Sequence, residues 1–313
     1  MRKILPFVLA ALLGNIRADE DYPDPEGFSH NGRFFYAQIN YQEGDSIHYY
    51  TNVGLGCNNF SQKWIISTQE ESVGYATSVC KAGGQTRCTV PDRFPWGDDI
   101  ENPSDACITD FSASMIEETA HLNDGADGSF IDPIPEYILQ GFSATNRIMF
   151  YNSDYGRQME VDMKSFAIMQ SNNFEFQSNT FSGYLGLGPY SSDSQIKDEN
   201  IIYHLKKNGV IDHAIFSLYL LKNGRSSIKF GGYDRDALYD YKDFNVFKTV
   251  DRHSWKIPAA NFKLYNIAYL AKDENVGEFL VDPQLSAIYM PSDHYDEFKK
   301  RMPLSLSSLA DCT

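Results

Sequence analysis

Phe181-Ser182-Gly183-Tyr184-Leu185-Gly186-Leu187-Gly188 is an apolar, strand-like run punctuated by three glycines. Glycine has no Cβ, so it goes where backbone must approach backbone closely or where φ turns positive, and the apolar residues between the three put the segment in a core. A buried strand ending in a turn would explain that much. The residues downstream argue for more. Between Gly188 and Val210 an amphipathic helix is predicted, with Ile201, Ile202 and Leu205 on one face. Asp198 and Glu199 stand near its start and Lys206, Lys207 and Asn208-Gly209 mark its end, each on the side that the helix dipole and C-cap geometry favour. His204 within it reads as a surface residue. A second glycine strand then comes, Ile228-Lys229-Phe230-Gly231-Gly232-Tyr233-Asp234.

The bulk properties are those of a folded globular chain. With 313 residues, 42% hydrophobic and 14% aromatic, it can bury a large core in one domain or two lobes. A formal net charge of −15 repels nucleic acid and anionic membrane, so neither is expected as a partner. Arg2 and Lys3 precede an apolar core from Ile4 to Leu13, and Ala18 stands ahead of the acidic run Asp19-Glu20-Asp21. This reads as a secretory signal peptide over residues 1–18, too short an apolar stretch to be a membrane anchor. The expected location is outside the cell or in an endomembrane or vacuolar lumen.

Five cysteines, Cys57, Cys80, Cys88, Cys107 and Cys312, suit an oxidising compartment. There is no Cys-x-x-Cys or His-Glu-x-x-His and the histidines are scattered, so no metal site and no cofactor is expected. Asn59-Phe60-Ser61 is a glycosylation sequon.

Four segments in order carry a family resemblance: Phe181 to Gly188; Phe216-Ser217-Leu218-Tyr219-Leu220; Phe230-Gly231-Gly232-Tyr233-Asp234; and Ser254-Trp255-Lys256-Ile257. They are similar to the Phe-Asp-Gly-Ile-Leu-Gly-Leu-Gly, Phe-Ser-Val-Tyr-Leu, Phe-Gly-Gly-x-Asp and Tyr-Trp-x-Ile segments of the pepsin-like aspartic proteases. The resemblance implies an all-β, bilobal fold of two β-barrel lobes and a cleft that takes an extended polypeptide. The implied division is a segment over 19–45 in the place of a propeptide, a first lobe over 46–228 with an insertion over 81–135, and a second lobe over 229–313. The family's second lobe continues further, so this one is expected to be incomplete, with strand edges that a partner chain would cover. Phe34 to Tyr41 is predicted to be a strand on the edge of the first lobe. The insertion, rich in Pro, Asp and Asn, is predicted to hold little regular structure.

The same resemblance locates the site. Tyr49 to Cys80 aligns without gaps with the first-lobe hairpin and active-site strand, Gly54 and Gly56 standing at its glycine turn. Ser67 falls where the first catalytic Asp belongs, Thr68 keeps its place, and Gln69 stands for the Gly of Asp-Thr-Gly. In the second lobe Asp282 is kept, while Pro283-Gln284-Leu285 replace Thr-Gly-Thr ahead of Ser286. Tyr137 to Phe150 is similar to the two strands of the flap hairpin, which makes Gln140 and Gly141 the flap positions, with Gln140 in place of Tyr. A helix with Tyr295, Phe298 and Met302 on one face is predicted after the second turn. Cys80 and Cys88 resemble the family's small disulfide loop; Cys57 and Cys107 are then available to pair, although four cysteines allow three connectivities. Cys312 is left over.

A pepsin-like protease holds two carboxylates around one water, and because like charges so close cannot both ionise, the pair shares a proton. One carboxyl acts as base on the water while the other polarises the scissile carbonyl. A serine hydroxyl at position 67 cannot hold that proton, and acid–base assistance is typically worth roughly 10² to 10⁴ in rate. Glutamines at 69 and 284 bring a Cβ into turns built for glycine, and Pro283 removes an amide donor. Glu70 and Glu71 lie beyond the turn and would have to reach back to replace the lost Asp. Three readings are open: a pseudoprotease that binds peptide without cutting it, an active aspartic endopeptidase with an unusual catalytic partner, and a non-enzymatic degenerate fragment.

Overall fold

The computed structural model describes residues 7–12, 33–43, 47–82, 86–87, 92–97, 107–110, 112–121, 136–152, 157–171, 181–190, 199–220, 226–233, 247–251, 253–260, 263–264, 267–268, 275–284 and 296. Its strands are β1 (Phe7–Leu12), β2 (Phe35–Glu43), β3 (Ile47–Leu55), β4 (Phe60–Ser67), β5 (Val73–Ala82), β6 (Thr86–Arg87), β7 (Ile116–His121), β8 (Glu136–Asn152), β9 (Arg157–Ser171), β10 (Gly183–Gly186), β11 (Ile215–Leu220), β12 (Ser226–Phe230), β13 (Lys256–Ala260), β14 (Lys263–Leu264), β15 (Ile267–Ala268) and β16 (Asn275–Leu280). Among the described residues the helical element is α1 (Ile201–Lys207). The fold is all-β, as the resemblance implied.

Strands β3, β4, β10, β5, β9 and β8 pair in that order, and β8 pairs back onto β3, so the sheet closes into a barrel. Closure removes the edges from that ring. Its apolar interior includes Val53, Leu55, Trp64, Ile66, Tyr75, Phe150 and Leu185, and the buried face of α1 joins the same cluster. From β3 the sheet runs on through β2, β12, β11 and β1, while β7 pairs with β8 on the other side. The hairpin of β13 with β16 carries the second turn. Strand β1, inside the segment read as a signal peptide, pairs antiparallel with β11.

The glycine stretch does what its composition demanded. Strand β10 is wedged between β4, to which it is parallel, and β5, to which it is antiparallel. A Cβ on Gly186 would lie 2.0 Å from the Ser72 carbonyl oxygen, and one on Gly188 would lie 2.7 Å from that of Glu70. No other residue fits so close to the turn after β4. Helix α1 is fastened to the same turn by its N-cap. Asn200 Oδ1 accepts from the Tyr203 amide at 3.0 Å, and Asn200 Nδ2 donates to the carbonyls of Glu71 at 3.0 Å and Gly188 at 3.1 Å. Trp255, from the second half of the chain, donates its Nε1 to the Leu187 carbonyl at 2.8 Å and packs edge-on against Phe216.

Several expectations are corrected. Strand β2 is not on an edge: it pairs with β12 on one side and β3 on the other. Arg33 locks its start, donating from its backbone N and Nε to the Asp212 carboxylate at 2.6 and 2.9 Å. The insertion is not featureless, since it carries β6 and β7 and buries Phe94 and Trp96 completely. These aromatics flank Pro95 in a segment too short to show a strand period, so composition alone reads as loop. Tyr137 to Phe150 is one strand rather than two, because the pairing of β8 with β9 runs on through Asn152. His204 does lie at the surface, partly exposed, with its ring nitrogen 2.8 Å from the Asn208 side-chain amide. Of the cysteines, Cys57 bonds to Cys107. Cys80 is also in a disulfide, whereas Cys88 and Cys312 lie outside the described residues. So do Ser286 and the three residues Tyr295, Phe298 and Met302 of the helix predicted after the second turn.

Candidate active site

Ser67 ends β4, with a side chain wholly shielded from solvent. Its Oγ accepts the amides of Gln69 at 3.2 Å and Glu70 at 3.3 Å. The turn therefore still points backbone N–H groups at the side chain of position 67, the arrangement that would stabilise a carboxylate there. A third donor comes from the far end of the chain, Gln284 Nε2, at 2.7 Å.

Asp282 lies just after β16 and is 7% exposed. Its Oδ1 accepts the Gln284 amide at 3.1 Å, and its Oδ2 accepts Gln69 Nε2 at 2.7 Å and Gln284 Nε2 at 3.2 Å. The Thr68 amide donates to it as well. Burial pushes its carboxyl above the ordinary aspartate value, and the amides of Gln284, Gln69 and Thr68 pull it back only in part. Among the described residues, the hydrogen-bonding groups that act on Asp282 are thus amides. Gln284 Nε2 thereby links the Asp282 carboxylate to the Ser67 hydroxyl.

The two turns are also joined through the backbone, since Thr68 Oγ1 donates to the Val281 carbonyl at 2.6 Å. Sequence reading brought Ser67, Gln69, Asp282 and Gln284 to one site, and the structure places them in direct contact. Neither glutamine takes a positive φ. Their Cβ atoms are accommodated by a turn path that suits an ordinary residue, and their amides are turned inward onto Asp282. Glu70 is 6% exposed and acts on Glu118 and Tyr184 rather than on Asp282.

Gln140 and Gly141 lie within β8, where a bulge separates them, and not at a hairpin tip. Gln140 Nε2 donates to Glu117 of β7 at 3.1 Å. Gly141 is buried against β9, where a Cβ would lie 2.0 Å from the Ala167 carbonyl oxygen. Two antiparallel strand pairs flank this region, β7 with β8 and β8 with β9, and their connections, 122–135 and 153–156, lie outside the described residues. Asn59 is exposed in the turn between β3 and β4, at a φ of 54°.

Sequence reading missed Glu118 and Glu199. Glu118 had a signal: Ile116, Glu118 and Ala120 alternate on one face of β7, while Glu117 and Thr119 are exposed on the other. A carboxyl on the inward face of a strand announces an acid partly withdrawn from water.

No curated protein matches the chain. The family model for eukaryotic aspartyl proteases matches residues 141–309, more than half of the sequence and inclusive of both β10 and Asp282. With a closed barrel, a glycine strand packed beneath the turn after β4 and a second turn clasped to it through Thr68, the chain belongs to the eukaryotic aspartyl protease family.

Proposed function

We propose that this chain is a secreted pepsin-like protein that holds extended polypeptide in its cleft without cutting it. The observation that carries the reading is the pair of glutamine amides on Asp282. An aspartic protease needs the inner carboxylate oxygens free to hold a water and a second carboxyl to share the proton. Here Gln69 Nε2 and Gln284 Nε2 both donate to Asp282 Oδ2, and Ser67 supplies no carboxyl. Backbone positioning around the turns persists, which supports retention of a peptide-binding shape, while the acid–base pair is gone. The resident groups require no metal or other cofactor for this role.

Secretion is supported by the charge and apolar pattern of residues 1–18 and by the Cys57–Cys107 disulfide. Among the described residues no helix is long and apolar enough to cross a membrane. The exposed turn at Asn59 suits a glycan on a secreted chain, so N-glycosidase treatment of the secreted protein should lower its mass, and Asn59→Gln should abolish that change.

Peptide holding is tested with a mixture of extended peptides incubated with the purified chain at pH 4. Saturable binding by fluorescence anisotropy, with every peptide recovered at its starting mass, is the expected outcome. Absence of binding to any member of the mixture would leave only the degenerate-fragment reading.

A further inference from the structure

A second group of carboxyls gathers beside the first turn. Glu118 Oε2, on β7, accepts from Ser72 Oγ at 3.0 Å and from Tyr184 Oη at 3.3 Å. The two hydroxyls are themselves 3.2 Å apart. The other oxygen, Oε1, is sealed from solvent and meets no hydroxyl or amide donor among the described residues. Glu199, 3% exposed and immediately ahead of the Asn200 N-cap, accepts from Ser143 Oγ of β8. Glu70 approaches from the turn after β4.

The charged groups acting on Glu118 are therefore Glu199, ahead of α1, and Glu70, in the turn; Tyr184 faces it from β10 and Ser72 from the turn. The Glu118 and Glu199 carboxyls are close enough to hydrogen-bond to each other. Two carboxylates cannot form such a bond, so one of them carries a proton.

The geometry points to a proton-dependent latch, in which a proton shared by Glu118 and Glu199 holds the edge strand β7 onto the segment ahead of α1, beside Ser72 of the first turn. Strand β7 is the element with something to lose, because among the described strands it pairs with β8 alone and sits at the end of the sheet, outside the closed ring. Its release leaves the barrel standing and frees Ser72, at the end of the turn after β4, from Glu118. The latch is independent of whether the cleft cuts peptide.

Burial, then Glu199, raise the Glu118 carboxyl to about 8, with Glu70 adding to them and the Ser72 hydroxyl opposing. A folded-state value above the ordinary one means that the latch is fully closed at acid pH and opens as pH rises through about 8. An acidic lumen keeps β7 down, and an alkaline medium frees it.

Hydrogen exchange of the peptide spanning 116–121, corrected for the intrinsic pH dependence of exchange, tests this at pH 5 and pH 9. Protection of β7 should fall by about tenfold or more between the two while that of β5 and β9 holds. In Glu118→Gln, whose amide donates to Glu199 without titrating, protection should be flat. Equal protection of β7 at both pH values in the unmodified chain, or the same fall in Glu118→Gln, would overturn the latch. Should Glu118→Gln fail to fold, the carboxyl carbon-13 titration of Glu118 in the unmodified chain decides: a midpoint above about 7 supports the latch, and one in the ordinary carboxylate range refutes it.

Discussion

Gln69 Nε2 donates to Asp282 Oδ2 at 2.7 Å, joining two turns that lie 213 residues apart in the chain. In a working aspartic protease the turns meet around a water held by two carboxyls. Here they meet through a side-chain amide, which occupies Asp282 Oδ2.

Removing that amide should therefore be felt as stability. Gln69→Ala leaves Asp282 Oδ2 with Gln284 Nε2 as its remaining side-chain donor, a partly buried loss worth about 1–3 kcal/mol. Urea unfolding at pH 7 measures it. An unchanged midpoint would mean that water replaces the amide at no cost.

Asp282 also makes a signed prediction about pH. Its folded-state pKa lies above the ordinary value, so its contribution is fully present below the ordinary aspartate range and is lost as pH rises through the raised value. Asp282→Asn, neutral throughout, lacks this loss. The melting temperature of the variant minus that of the unmodified chain should thus grow as pH rises from about 3 to 7. A difference that shrinks over that range would show that the amides around Asp282 outweigh its burial.

Gly186→Ala tests the close packing beneath the first turn. Its Cβ would stand 2.0 Å from the Ser72 carbonyl, a backbone atom that cannot swing away as a side chain can. The expected cost is about 1–3 kcal/mol or more, seen as a lowered melting temperature. A variant as stable as the parent would show that the turn moves freely away from β10.

The fold was legible where several signals agreed on one backbone. Three glycines among apolar residues marked β10, and the apolar spacing of Ile201, Ile202 and Leu205 marked α1. That Ser67, Gln69, Asp282 and Gln284 meet was legible from the family resemblance of the two segments that carry them. Their hydrogen bonds were not, since which way a glutamine amide turns depends on a partner more than two hundred residues away. The insertion misled because Phe94, Pro95 and Trp96 pack through isolated contacts, which leave no period to read. Strand β8 misled for the opposite reason: the bulge between Gln140 and Gly141 resembles a chain reversal in sequence but only shifts the register.

The most direct test of the account is cleavage of denatured protein at pH 3 to 5 by the purified chain, with and without pepstatin, beside Asp282→Ala and the double variant Ser67→Asp with Gln69→Gly. The expected result is no pepstatin-sensitive cleavage by the unmodified chain and a gain of about 10² or more in the double variant, which introduces a second carboxyl and withdraws the amide from Asp282. Pepstatin-sensitive cleavage by the unmodified chain, lost in Asp282→Ala, would contradict it.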